Sequence, residues 1–229
     1  MASMDSRLKV ARRARGWTQQ ELARRLRVSQ TLVALWESGS RRPSGGVLKR
    51  LQRWGFEIEA TALPFRPDVD ARTVDFVLEG ADLGYPGFAH YRRGAARWNP
   101  AQLLLTALAR DTLARRVAEA LPWLALRYWD MDWGWVSREA KLQDLQNRLG
   151  FTLLLARELA ANRGMQEVTG RLLSVEQDFR RSALARVDTY CNEGMTNSER
   201  EWLRSRSSRE AKAWNVLSDL QPEYLNHAA

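Results

Sequence analysis

Few side chains in this 229-residue chain have the types and spacing that covalent chemistry needs. There are two histidines, His90 and His227, and neither has a partner nearby in sequence that would make it a general base; the lone cysteine, Cys191, is equally isolated. Asp130, Asp132, Glu139 and Asp144 are of the type that holds magnesium in nucleases, yet Asp132 reads more simply as a helix cap. Glu139, one helical turn before Gln143, reads as part of a solvated face. "SGG" at Ser44 to Gly46 suits a helix start, and "GADLGYPG" lacks the lysine of a phosphate-cradling loop. The chain is therefore expected to be no enzyme, with no catalytic residue, metal or cofactor.

Non-covalent chemistry with a polyanion is better provided for. Residues 1–60 hold 13 Lys and Arg against 5 Asp and Glu, a net +8, whereas the remainder holds 23 against 22. An arginine-favouring composition would spread the excess evenly. Its concentration in one segment points to a local polyanion-binding surface on a nearly neutral body.

The elements that must position those charges are legible in "WTQQELARRLRVSQTLVALWESGSRRPS", Trp17 to Ser44. Thr18 and Glu21 have the capping-box spacing, in which each side chain satisfies a free backbone N–H at a helix start. Leu22, Ala23 and Leu26 give that helix a buried face. "RVS" makes a short turn, and Ser29 can cap a second helix with Val33 and Leu35 or Trp36 turned inward. Two short helices across so tight a turn are the helix-turn-helix signature, whose second helix enters the DNA major groove with its first turns against base edges. A basic two-helix unit that binds a protein is the alternative reading.

The same stretch, extended as "LKVARRARGWTQQELARRLRVSQTLVALWESGSRRPS" and "VLKRLQRWG", resembles the Xre family of Cro- and lambda-repressor-like DNA-binding domains from about Ser6 to Gly55. The resemblance implies five short helices, with the second and third as the reading pair. It places Gln19 against a DNA phosphate, Gln30 and Thr31 at base edges, and Arg41 and Arg42 in a connector near the backbone. Glutamine can offer adenine a donor and an acceptor together, and arginine beside phosphate adds sequence-independent affinity. Ser29 and Ala34 complete the expected DNA-facing set, Ala34 with Leu32 and Leu35 as candidates for thymine methyl contact. Arg27 stands where such domains usually carry glycine; it must accept a left-handed backbone at a cost of roughly 1 kcal/mol, and there it could reach phosphate.

Beyond the motif the texture changes twice. "FEIEATALPF" alternates at period two and suggests a short strand in which Phe56, Ile58 and Ala60 share a face. A proline- and glycine-bearing linker follows, with one short helix near Thr73 to Glu79. From Asn99 onward long helical patterns return, with Asn99-Pro100, Asp111 and Pro122 as starts. The longest runs from about Trp135 toward Ala161, interrupted by Gly150 as a possible close crossing and stopped at Asn162 to Gly164. Further helices are expected at Gln166 to Arg186 and Ser198 to Asp219. The fold class is all-α: a DNA-binding domain at 1–55, strand and linker at 56–98, and a helical bundle for dimerisation or partner binding at 99–229.

Four of the ten tryptophans, Trp123, Trp129, Trp133 and Trp135, fall with Tyr128 inside "PWLALRYWDMDWGW". They read either as bundle core around a helix break or as a partner-binding surface. One module reads one half-site, so a homodimer on a double-stranded operator is expected. Xre-type domains fused to helical regions resemble transcription repressors, either antitoxins that neutralise a cognate toxin and repress their own operon or ligand-responsive regulators. No apolar run approaches the roughly 18 residues that suggest a membrane span, and a single cysteine forms no internal disulfide; a cytoplasmic protein without a membrane partner is the expectation.

Overall fold

Helices of eight or nine residues are too short to stand alone in water, so the N-terminal ones exist because they share a core. In the computed structural model, which describes residues 8–9, 11–13, 15–38, 41, 43–54, 56, 60–66 and 70–225, these are α1 (Gln19–Leu26), α2 (Gln30–Glu37) and α3 (Gly45–Arg53). Helical residues at 8–9 and 11–13 precede them. Leu22 and Leu26 from α1, Val33 and Trp36 from α2, and Val47 and Leu51 from α3 form the interior with Phe56. Trp17 stands edge-on to Trp54, with ring centroids 6.0 Å apart. Arg25 stacks its guanidinium 4.3 Å from the Trp17 ring.

The chain divides into two compact units, Met1–Phe65 and Arg66–Ala229. The alternating segment belongs to the first. Phe56 and Ala60 are both buried, but Ala60–Ala62 form a 3-10 turn, and Ile58 lies with residues 57–59 outside the described residues. A strand needs a neighbour for its backbone hydrogen bonds, and the pairing partner that the alternation called for is not found among the described residues.

Residues 70–98 do not behave as a linker. They belong to the second unit, where Asp75 caps α4 (Phe76–Asp82) by accepting from the backbone N–H of Val77 and Leu78. Phe76, Leu83, Tyr85 and Phe88 are buried. Aromatics that look scattered in sequence are core residues here.

The second unit is built around α8 (Gln146–Asn162), of which all but a few residues at its C-terminal end are buried. Around it lie α5 (Pro100–Leu108), α6 (Arg115–Arg127), α7 (Trp133–Leu142), α9 (Gln166–Arg180), α10 (Asn197–Arg206) and α11 (Arg209–Ala213). A two-residue parallel pair, β1 (Asp188–Thr189) with β2 (Val216–Leu217), ties two loops together. Asn99 and Pro100 open α5 as expected, Asn99 Oδ1 accepting from Ala101 N–H at 2.9 Å.

Asp111 caps nothing: α6 begins at Arg115 after Ala114. Pro122 starts no helix; it lies inside α6 between the buried Leu121 and Trp123, where apolar packing on both sides outweighs the lost backbone hydrogen bond. The long helix expected from Trp135 to Ala161 is two helices, broken where Asp144 takes a left-handed backbone, φ 55°. Aspartate tolerates that conformation better than most residues. The expected last helix is likewise divided, into α10, α11 and β2. Gly150 does mark a close approach: a Cβ there would lie 2.2 Å from the fully buried Trp214 ring.

Candidate nucleic-acid interface

The first unit positions its two central helices by their caps. Thr18 Oγ1 accepts from Glu21 N–H at 3.1 Å while Glu21 Oε2 accepts from Thr18 N–H at 2.6 Å, the complete capping box. Arg27 closes α1 in the left-handed region, φ 54° and ψ 49°, so the arginine occupies the conformation expected of it. Ser29 starts α2 by accepting from Leu32 N–H at 3.2 Å. That hydroxyl keeps its own hydrogen to donate.

The caps leave α2 divided lengthwise. Val33, Trp36 and Glu37 face the interior, whereas Gln30, Thr31, Leu35 and Ser38 are exposed and Leu32 and Ala34 half-buried. Gln30 and Thr31 thus stand on the first turn of the second helix with their polar groups outward. Leu35, 36% exposed, adds an apolar contact surface to the same helix. Arg41 is exposed, and its backbone N–H reaches back to Leu35 C=O at 3.2 Å, fixing the connector to the end of α2. Arg42 lies outside the described residues.

Beneath this face a buried ion pair joins helix ends distant in sequence. Arg12 Nε and Nη2 donate to the two carboxylate oxygens of Glu37 at 2.6 and 3.0 Å, and Nη1 donates to Trp17 C=O at 2.5 Å. Gln19 Nε2 donates to Glu37 at 2.8 Å, so the amide at the start of α1 is held against the end of α2. Burial pushes the Glu37 carboxyl up, but hydrogen bonds from Arg12 and Gln19 and the charges of Arg12 and Lys9 outweigh it and hold the group below its usual range. Arg12 is raised in turn, chiefly by its hydrogen bond to Glu37.

Sequence reasoning did not pair Arg12 with Glu37. The available signal was a carboxylate on the apolar face of α2, one turn beyond Val33 and beside Trp36, which requires a buried cation. The pair places the half-buried Gln19 between the two helices, where a phosphate contact and a structural one compete for its amide.

The aromatic segment is distributed differently from a partner-binding surface. Trp123 and Trp133 are buried, at 6% and 3% exposure, and cannot present a surface. Trp123 packs edge-on to Tyr85 and Tyr128, with centroids 5.2 and 6.3 Å away. Tyr128 is half-buried and donates to Leu83 C=O at 2.8 Å; Trp129 and Trp135 are half-buried as well. These rings wrap the break between α6 and α7, where Trp133 Nε1 donates to Trp129 C=O at 2.7 Å. Asp132 caps α7 through Trp135 N–H, and Asp144 lies 3.8 Å from Arg186. Among the described residues no three His, Cys, Asp or Glu side chains are grouped to hold a metal.

Residues 8–53 match the Helix-turn-helix family model. The N-terminal segment is therefore a helix-turn-helix domain of the Xre and lambda-repressor type, and the chain is a DNA-binding transcription regulator in its broad class. The match ends within the first unit. No curated protein and no solved structure matches the chain. No helix among the described residues is long and apolar enough to cross a membrane.

Proposed function

We propose that the chain is a sequence-specific repressor that lays α2 along the major groove of an operator. The observation that carries this reading is the lengthwise division of α2, with Gln30 and Thr31 exposed on its first turn in a unit of net charge +8. Gln30 reads adenine through paired hydrogen bonds, and Thr31 and Ala34 meet thymine methyls. Gln19, Arg27, Ser29, Arg41 and Arg42 hold the phosphates on either side. A homodimer covers two half-sites about 34 Å apart, one helical turn.

The finer role has two forms. In one the second unit neutralises a cognate toxin; in the other it senses a ligand. Burial of Trp123 and Trp133 removes the centre of the surface on which a toxin would dock, while an open cleft in the second unit supports the ligand-responsive form. A heterocomplex formed on co-expression with neighbouring genes would favour the antitoxin.

Selection from a random duplex pool, followed by a salt series on the selected sequence, tests the DNA reading. Neutralising about six phosphates should lower affinity roughly a thousandfold between 50 and 200 mM salt. No enriched sequence, or an affinity indifferent to salt, would remove it.

A further inference from the structure

A cleft of about 340 Å³ opens in the second unit between the start of α6 and α10, floored by the segment from Leu217 to Leu220. Its α10 wall is unusual: the helix spans ten residues and none of them is buried. Trp202, half exposed at 50%, and the half-buried Leu203 line the cleft with Met195. The helix is a formed one, with Thr196 and Glu199 making a complete capping box. An apolar wall on an ordered helix is a surface ready to be covered.

The charges around the cleft specify what would cover it. Three carboxylates, Glu119, Glu199 and Asp219, line it with one cation, Arg115. Arg115 is shared, 2.9 Å from Glu119 and 3.5 Å from Asp219, and it cannot neutralise both. Negative charge therefore remains on the wall of this cleft in the second unit. The Trp202 ring already attracts an internal cation, with the Arg206 guanidinium 4.8 Å from its centroid, and the electron-rich face of an indole favours cations generally.

We infer that this cleft binds a small organic cation with an apolar body, the ammonium near Asp219 and Glu119 and the body against Trp202 and Leu203. The volume falls in the range of small-molecule sites. The inference deepens the ligand-responsive reading by naming a ligand class. It is tested by binding alone, without DNA, so the site and the regulatory reading can fail separately.

Calorimetric titration of the full chain with 4-phenylbutylamine, 4-phenylbutanol and 4-phenylbutyrate compares three charges on one body. The amine should bind at least tenfold more tightly than the alcohol, and the carboxylate not at all. Trp202→Ala, at a half-exposed position, should weaken amine binding about tenfold with unchanged helical circular dichroism. Trp202→Phe should restore part of it, and Asp219→Asn should weaken the amine but not the alcohol. Equal binding of the three probes, binding of none, or amine affinity untouched by Trp202→Ala would overturn the inference.

Discussion

Arg12 and Arg148 are both buried at 7% exposure, one in each unit, and they are used differently. Arg12 meets Glu37 and Trp17, partners within 25 positions, and the pair braces α1 and α2 from beneath while the outer face of α2 stays in solvent. Arg148 donates to Asp188 and Glu193 and to the backbone carbonyls of Leu108 and Arg110, all 38 to 45 positions away. Its helix, α8, is enclosed along most of its length. One arginine supports a face left free for work; the other gathers loops around a core. The first unit is thus assembled from local signals and the second from long-range ones.

The sharpest way to break this comparison is to remove the long-range gatherer. Arg148→Met should cost the second unit about 3–5 kcal/mol, because Asp188 is left buried without its cation. Hydrogen exchange should show protection lost from α5, α8 and the strand pair but retained in α1 and α2. Loss of protection in both units together would show that they are not separately stabilised.

Glu37→Gln is the matching cut in the first unit, with an expected cost of about 2–3 kcal/mol, since Arg12 keeps Trp17 C=O but loses its counter-charge. The folded carboxyl titrates below its unfolded value, so its contribution is complete above the ordinary glutamate value near 4.3 and disappears as pH falls through the folded one. The difference in unfolding midpoint between wild type and Glu37→Gln should therefore be full at pH 7 and narrow below about pH 4. A gap independent of pH would mean that the charge is not what braces the helices.

Arg27→Gly is the gentlest test. Relief of the left-handed conformation, about 1 kcal/mol, is partly offset by the greater freedom of glycine in the unfolded chain, leaving a gain of about 0.5 kcal/mol. The same substitution should weaken binding to every duplex alike if Arg27 reaches phosphate.

The sequence revealed what is decided within a few residues. Thr18, Ser29, Asn99 with Pro100, and the left-handed Gly164 act through backbone groups two to four positions away, and all are where their types place them, whereas Arg27 takes its left-handed backbone against its type. The helix expected from Gln166 to Arg186 was legible as far as its regular period runs: Val168, Leu172, Val175 and Phe179 form one buried face of α9, which ends at Arg180. The break at Asp144 was not, because periodicity continues through it while the backbone reverses. Strands of two residues carry no period at all, so the pairing of Asp188 with Val216 had no signal to give. Gly150 announced a close contact without naming Trp214, sixty-four positions on, as the group that fills it.

In the candidate interface, exposure of Gln30 and Thr31 followed from the caps. The link from Gln19 through Glu37 to Arg12 did not, because an ion pair across 25 residues is written in geometry rather than in spacing. The aromatic cluster kept two readings open for a related reason: tryptophan serves cores and interfaces equally well, and the packing of Trp123 against Tyr85 and Tyr128 is what places that ring in the core.

The central claim, that the outer face of α2 reads bases, is tested most directly by measuring Gln30→Ala and Arg41→Ala against the selected duplex and its single-base variants at fixed salt. Gln30→Ala should lose about 1–3 kcal/mol of discrimination at one base pair and leave the others unchanged, whereas Arg41→Ala should weaken all duplexes equally and lower the salt dependence by about one unit. Unaltered base preference in Gln30→Ala, with wild-type affinity throughout, would contradict the account.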